Sequence, residues 1–299
     1  MEHAPNTTKT PTFEGLLEER RVLLADGATG TNYQTMGMEP GLAPEEWLFQ
    51  APDRVLELHR AFVDAGADIL LTCTFGATSL RLQEGSLAGR TREVNLRAAE
   101  LARDAAGSSR LVAGSLGPSG QLIEPYGLLD HDTAVAAYAE QASALAEGGV
   151  DLLVLETIFA LEEAVWAVEG IKSASELPLV VSFSYDMGTR TMMGLSPTDA
   201  VTTILPLGVA AVGANCGRSL ADTDEVVTEV LAAAGDVPVW IKPNAGVPKV
   251  VGSQVVYEAG PDMLAEHVVR YVEQGARVVG GCCGSTPEHV AAIAQALGR

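Results

Sequence analysis

The sequence predicts a single α/β domain, a (β/α)8 barrel of the TIM type, and three observations predict it. Eight short β-rich apolar runs recur along the 299 residues. Between them lie longer stretches with apolar residues at helical spacing. No second compositional zone and no Pro/Ser-rich linker interrupts the alternation. A doubly wound open sheet is the alternative, but it rarely uses eight units recurring so evenly.

The strands are expected at 22–26, 69–74, 111–115, 152–156, 179–184, 209–214, 237–242 and 277–281. Most are almost uninterrupted apolar, as parallel strands covered on both faces should be. The helices are expected at 52–65, 92–106, 132–147, 161–173, 197–205, 222–234, 261–273 and 287–297. Pro52 stands in the first turn of its helix, where a missing N–H costs nothing. The repeated Ala-Gly-Ala-Asp, Gly-Gly-Val-Asp and Gln-Gly-Ala-Arg tetrads supply a glycine at a helix end and then the next strand. Residues 1–12 are polar and are read as a flexible tail, leaving 13–299 as the barrel domain.

Composition narrows the function class. The chain carries 39 Asp+Glu against 19 Lys+Arg, a formal net charge of −20. Such a field disfavours nucleic acid and anionic membrane surfaces as partners. A 47% hydrophobic share excludes a disordered acidic tail. No apolar run reaches the ~18 residues needed to span a bilayer. Residues 1–11 lack the apolar segment of a secretory signal. Four cysteines in a chain this long do not make a disulfide scaffold and point to thiol or metal chemistry in a reducing compartment. The expected location is the cytoplasm.

In a (β/α)8 barrel, function gathers at the C-terminal ends of the strands. Here those ends carry Asp26, Thr72 to Thr74, Ser115, Glu156, Ser184, Asn215 with Cys216, Lys242 to Asn244, and Cys282 with Cys283. Cys216 lies in Gly213-Ala-Asn-Cys-Gly217 and the pair in Gly280-Gly-Cys-Cys-Gly284. The sixth and eighth strands are separated by one strand, so their mouths can converge. Three thiolates plus an open position describe a catalytic zinc site. Flanking glycines allow consecutive side chains to reach one ion. Two other readings stand beside it: buried small apolar residues, or a strained vicinal disulfide in a redox switch. Cys73 is left over, as a neighbour of the site wall. His59, His131, His267 and His289 fall on or beside helices, where surface or capping roles are expected.

A metal held by three thiolates is a poor Lewis acid for making hydroxide. It suits a fourth thiol, kept as a reactive thiolate that attacks an electrophilic carbon such as an activated methyl. Asp26 and Glu156 are available to hold an ammonium group on that thiol. Backbone N–H groups around Gly27 and Ala28 and in the turn at 115–117 are available for a carboxylate. The residues therefore point to S-alkylation of an amino-acid thiol.

Seven motifs then appear in order: Asp26-Gly-Ala-Thr-Gly30, Thr72-Cys-Thr-Phe75, Gly114-Ser-Leu-Gly-Pro118, Leu155-Glu-Thr157, Gly213-Ala-Asn-Cys216, Lys242-Pro-Asn-Ala-Gly246 and Gly280-Gly-Cys-Cys-Gly284. Together they resemble the homocysteine S-methyltransferase family, across residues 13 to 297. That family includes betaine- and S-methylmethionine-dependent enzymes and the homocysteine module of cobalamin-dependent methionine synthase. The resemblance implies a zinc-dependent enzyme of methionine biosynthesis that methylates homocysteine. It makes Cys216, Cys282 and Cys283 the Zn2+ ligands, through which they act in catalysis. Glu156 and Asp26 match positions that bind the homocysteine amino group, with Gly27, Thr74 and Ser115 lining the pocket. Asn244 resembles a residue that can hold the fourth zinc position before the thiol displaces it. Its other reading is a turn residue after Pro243. Lys242 alone would suggest a Schiff-base aldolase, but that leaves the three thiols unexplained.

The donor is less constrained. Betaine-type relatives surround the trimethylammonium with aromatic rings, and two of those positions are Gly76 and Thr157 here. Phe75, Phe159, Tyr126 and Tyr33 are candidates for a different cage. A small onium donor, with betaine as the named compound, is the expectation. S-methylmethionine, dimethylsulfoniopropionate and a methylcorrinoid on a separate protein are the alternatives. A non-enzymatic zinc-storing or redox-sensing barrel is the reading from another class. Oligomeric state is not legible.

Overall fold

In the computed structural model, residues 11–83, 85–251 and 254–299 are described. The expected tail lies outside the described residues except at Pro11 and Thr12. The Thr12 hydroxyl accepts from Gly15 N and caps the helix Phe13–Glu19.

Eight parallel strands form the barrel: β1 (Leu23–Leu24), β2 (Ile69–Leu71), β3 (Leu111–Leu116), β4 (Leu152–Ile158), β5 (Leu179–Phe183), β6 (Ala211–Cys216), β7 (Val239–Pro243) and β10 (Val278–Val279). Their order is β1-β10-β7-β6-β5-β4-β3-β2, and a parallel bridge from Ala25 to Ile69 joins the two ends. Between β7 and β10 an antiparallel hairpin, β8 (Pro248–Val251) with β9 (Gln254–Tyr257), stands apart from the barrel sheet. All eight expected strands exist, though the first and last keep only two residues of ladder. All eight expected helices exist as well, with ends moved by at most two residues, from Pro52–Asp64 to Pro287–Ala296. Among the described residues, no helix is long and apolar enough to cross a membrane.

The alternation of strand side chains explains why the runs read as uniformly apolar. Leu24, Leu70, Val112, Leu153, Val181, Val212, Ile241 and Val279 point outward into the layer shared with the helices. Leu23, Ile69, Leu71, Leu111, Ala113, Leu152, Val154, Val180, Ala211, Trp240 and Val278 point inward and form a separate plug. The helix Phe13–Glu19 closes the barrel floor by adding Phe13, Leu16 and Leu17 to that plug. It spans 7 residues, too short to register as a helical period in the sequence.

His59 departs from the expected surface or capping role. It is buried in the helix Pro52–Asp64, and its Nε2 finds no partner among the described residues. Burial pushes its pKa down to about 4, opposed by the charge of Asp26. The unfolded chain therefore takes up this proton first. The associated loss of stability begins below about 6.5 and is complete near pH 4. A shift of this size is worth about 3 kcal/mol. Urea melts of the His59→Gln variant should show a smaller stability loss than the wild type between pH 7 and pH 4, by roughly that amount. Parallel curves would exclude His59 as the acid-sensitive group.

Candidate metal and acceptor site

The inward face of the plug continues upward into a polar layer. Two residues beyond Ala113 comes Ser115 in β3, and two beyond Val154 comes Glu156 in β4. Val180 leads to Ser182 in β5, Ala211 through Gly213 to Asn215 in β6, and Trp240 to Lys242 in β7. All five side chains are buried. A period of two therefore collects one inward polar group from each of five consecutive strands at the catalytic end of the barrel.

The three expected thiols meet beside this layer. The Sγ atoms of Cys216, Cys282 and Cys283 all lie within 4.8 Å of one another, with Cys216 and Cys282 at 3.0 Å. All four cysteines are free thiols, so the vicinal-disulfide reading does not describe this structure. Backbone hydrogen bonds tie the three loops together. Asn244 N donates to Cys216 O at 3.2 Å, Cys282 N to Pro243 O at 2.7 Å and Ala245 N to Cys283 O at 2.9 Å. Gly284 has φ +80°, and a Cβ there would lie 2.1 Å from Cγ of Tyr257, so the β9 tyrosine packs directly on the cysteine loop. Hydrogen bonds from Cys216 and Cys282 push Cys283 down from the usual thiol range. The bond to Cys282 leads the causes that push Cys216 up.

A soft, closely spaced thiolate set fits a tetrahedral metal such as zinc. Asn244 adds an independent sign of fit. Its Nδ2 donates to Gly217 O at 2.8 Å, which fixes the amide, while its buried Oδ1 has no hydrogen-bond partner among the described residues. A buried amide oxygen left unpaired is costly unless something else ligates it.

Asn215 has a role that sequence reasoning left unassigned. Its Oδ1 accepts from Thr157 N at 2.9 Å and Ser182 Oγ at 2.7 Å. Its Nδ2 donates to Thr157 Oγ1 at 2.7 Å and faces Cys216 and Cys282 Sγ at 3.5 and 3.7 Å. Among the described residues, Thr157 and Cys216 are the non-glycine residues with positive φ, at 62° and 60°. Asn215 ties these strained positions together and aims N–H donors at two sulfurs. The signal in the sequence was its place immediately before Cys216. Asn215→Ala should lower metal affinity about 10–100-fold, the usual loss when a partner orienting a ligand is removed. Chelator competition measures this, and unchanged affinity would reduce Asn215 to a strand-packing role.

The expected acceptor-pocket residues are also gathered here. Glu156 Oε1 accepts from Ser115 Oγ at 2.6 Å. Asp26 Oδ2 accepts from Leu71 N at 2.8 Å, and its Oδ1 accepts from Lys242 Nζ at 2.8 Å. Burial raises Glu156 to about 7, against the opposing pull of Lys242. Gly27 is required where it stands, since a Cβ would come within 2.8 Å of Phe62 and 2.9 Å of Ser285. Thr74 lies behind Ser115: its hydroxyl donates to Ser115 O at 2.7 Å and takes a 2.6 Å bond from Thr72. The Ala28 and Gly117 amides, expected as carboxylate donors, already bond Ser285 O and Phe75 O. Lys242 does not resemble a Schiff-base amine. Burial works to lower its pKa, but the charges of Asp26 and Glu156 overcome it and hold the ammonium above the ordinary lysine range.

Two of the aromatic candidates lie in unlike surroundings. Tyr33 is buried against Trp47 with ring centroids 4.8 Å apart, whereas Tyr126 is 88% exposed. Gly76 N donates to the buried Glu45 at 2.6 Å, and a Cβ at Gly76 would meet that carboxylate at 3.0 Å. A side chain at position 76 would have to displace that carboxylate. Cys73 is buried outside the thiol cluster, and burial pushes it well above the usual thiol range. It packs in the layer between strands and helices.

Comparison with known proteins agrees with this geometry. A sequence profile described as homocysteine S-methyltransferase matches residues 23–297. The methionine synthase of Mycobacterium leprae is 32% identical over 298 residues, covering 94% of this chain and 24% of its own length. That of Mycobacterium tuberculosis is 33% identical over 296 residues, covering 93% and 25%. The chain therefore spans about a quarter of the length of the methionine synthases it matches. The homocysteine methyltransferase MmuM from Escherichia coli, in its metallated form, superposes with a TM-score of 0.79 at 25% identity. That match covers 93% of this chain and 97% of the neighbour. With an eight-stranded barrel whose cysteine-bearing loops converge at its mouth, and a profile match over nearly its whole length, the chain belongs to the homocysteine S-methyltransferase family.

Proposed function

We propose that this protein is a zinc-dependent homocysteine S-methyltransferase that forms methionine. The convergence of Cys216, Cys282 and Cys283 Sγ within 4.8 Å carries the reading. These three residues would hold the metal, with Asn244 Oδ1 as the resting fourth ligand. Bound zinc would supply one thing, the stabilisation of the acceptor sulfur as a thiolate near neutral pH. Asp26 and Glu156 supply the negative charge that attracts the acceptor's ammonium, with Ser115 orienting Glu156 through the 2.6 Å bond. Placing sulfur and methyl carbon in line supplies much of the remaining rate. The new S–CH3 bond forms as the donor's onium–carbon bond breaks. The electron pair of that bond stays on the donor heteroatom, and the thiol proton leaves to solvent.

The donor reading is a small onium compound, with betaine named, in a pocket built differently from a cage with rings at 76 and 157. Incubation with homocysteine and a panel of betaine, S-methylmethionine, dimethylsulfoniopropionate and a methylcorrinoid protein tests it, following methionine by mass spectrometry. Turnover with betaine is the expected result. Turnover with the corrinoid protein alone would replace the onium reading, and no methionine from any donor would overturn the methyltransferase reading.

A further inference from the structure

The acceptor pocket contains an ammonium of its own. Lys242 stands in the inward layer of β7, only 2% exposed, and donates to Asp26 Oδ1 at 2.8 Å. The other oxygen of Asp26 is taken by Leu71 N. Both oxygens of the carboxylate best placed on β1 to hold an acceptor ammonium are therefore engaged before any acceptor arrives. Glu156, across the pocket on β4, spends Oε1 on Ser115, and its Oε2 accepts no hydrogen bond among the described residues.

Lys242 satisfies the buried Asp26, but fold stability alone is a weak reason to keep the pair. An apolar side chain of similar length would avoid the cost of burying an ammonium, and buried ion pairs seldom repay that cost in stability. The charge balance supplies a reason. Asp26 and Glu156 contribute two negative charges when ionised, and Lys242 contributes one positive. The sum is a single negative charge, which one ammonium on the acceptor neutralises.

We propose that Lys242 is a positioning and specificity residue of the acceptor pocket: by pairing with Asp26 it leaves Glu156 as the free ammonium partner and matches the pocket to a thiol bearing one ammonium and one carboxylate. This rests on the acceptor reading above. Without Lys242 the pocket carries an extra uncompensated negative charge and favours more cationic thiols. Without Asp26 it carries one negative charge fewer, and the preference moves the other way.

Titration calorimetry on the zinc-loaded protein tests this without turnover, using three thiols of different charge: homocysteine, homocysteine methyl ester and 4-mercaptobutyrate. In K242M the ester-to-homocysteine affinity ratio is expected to rise about 10–30-fold, the effect of one charge at pocket distance in a partly screened interior. In D26N, where Lys242 can turn to Glu156, the same ratio is expected to fall by a similar factor. The double variant K242M/D26N restores the net charge, and its ratio should return to within about threefold of the wild type. Should K242M fail to fold, the opposite shift in D26N and its reversal in the double variant still decide the matter. Ratios within threefold of the wild type in every folded variant would overturn the proposal while leaving homocysteine as acceptor. A wild-type protein that binds none of the three thiols would overturn the acceptor reading, and the role of Lys242 with it.

Discussion

Replacing Cys282 by alanine is expected to remove zinc and methyl transfer together. Cys282 Sγ is 3.0 Å from Cys216 Sγ and within 4.8 Å of Cys283 Sγ, so its loss leaves two thiolates where the metal needs three. Zinc held by two protein thiols exchanges readily, whereas three fix both its geometry and its open position. Loss of a residue that merely orients a ligand costs about 10–100-fold in affinity, and loss of the ligand itself should exceed that. Elemental analysis after dialysis and a methionine assay on the same sample read both quantities. Cys73→Ala is the matching control. It removes a buried thiol from outside the cluster, and metal content should stay at the wild-type level. A metal-free Cys282→Ala protein with full activity would sink the site assignment.

Glu156→Gln should divide stability from function. The carboxyl is raised from 4.5 to about 7, mainly by burial. Because the folded pKa exceeds the unfolded one, the folded state keeps the proton longer. Ionisation then costs stability progressively as pH rises from about 4.5 to 7, reaching about 3 kcal/mol above that range. A neutral glutamine escapes this cost and can still accept from Ser115. The variant should therefore be more stable than wild type at pH 8, by about that amount, with the gain vanishing near pH 4. Homocysteine binding should weaken by about 30-fold or more, since breaking a buried charge pair costs some 2–5 kcal/mol. Its affinity should rise more steeply through pH 7 in the wild type than in the variant, which keeps only the rise due to loss of the thiol proton. Denaturant melts and acceptor titrations across that pH range separate the two effects. Equal stability together with unchanged homocysteine affinity would remove Glu156 from the pocket.

The fold was legible because apolar patterning is local. Every barrel strand and its following helix shows in the sequence, since burial on both faces writes a continuous apolar run and a helix writes a 3.6-residue period. The short helix Phe13–Glu19 and the β8–β9 hairpin write neither, and both escaped prediction. The zinc-ligand candidates were legible for a related reason. Cysteine is scarce in this chain, and each of the three follows a strand at a glycine-bracketed turn.

Other parts of the site depend on contacts between residues distant in the chain. Lys242 and Asp26 are 216 positions apart, and Asn215 reaches Thr157 across 58. His59 looks like any helical histidine until the barrel buries it. Thr74 reads as a pocket residue, yet its hydroxyl is committed to Ser115 and Thr72. The sequence by itself determined the barrel, the family resemblance and the three thiols, because periodicity, motif order and rare residue types are properties of the chain. Only the tertiary structure decided that a lysine occupies the carboxylate expected to greet the substrate. Pairing β10 between β1 and β7 brings Asp26 and Lys242 to one mouth, and the charge of a pocket is a sum over side chains that no single segment contains.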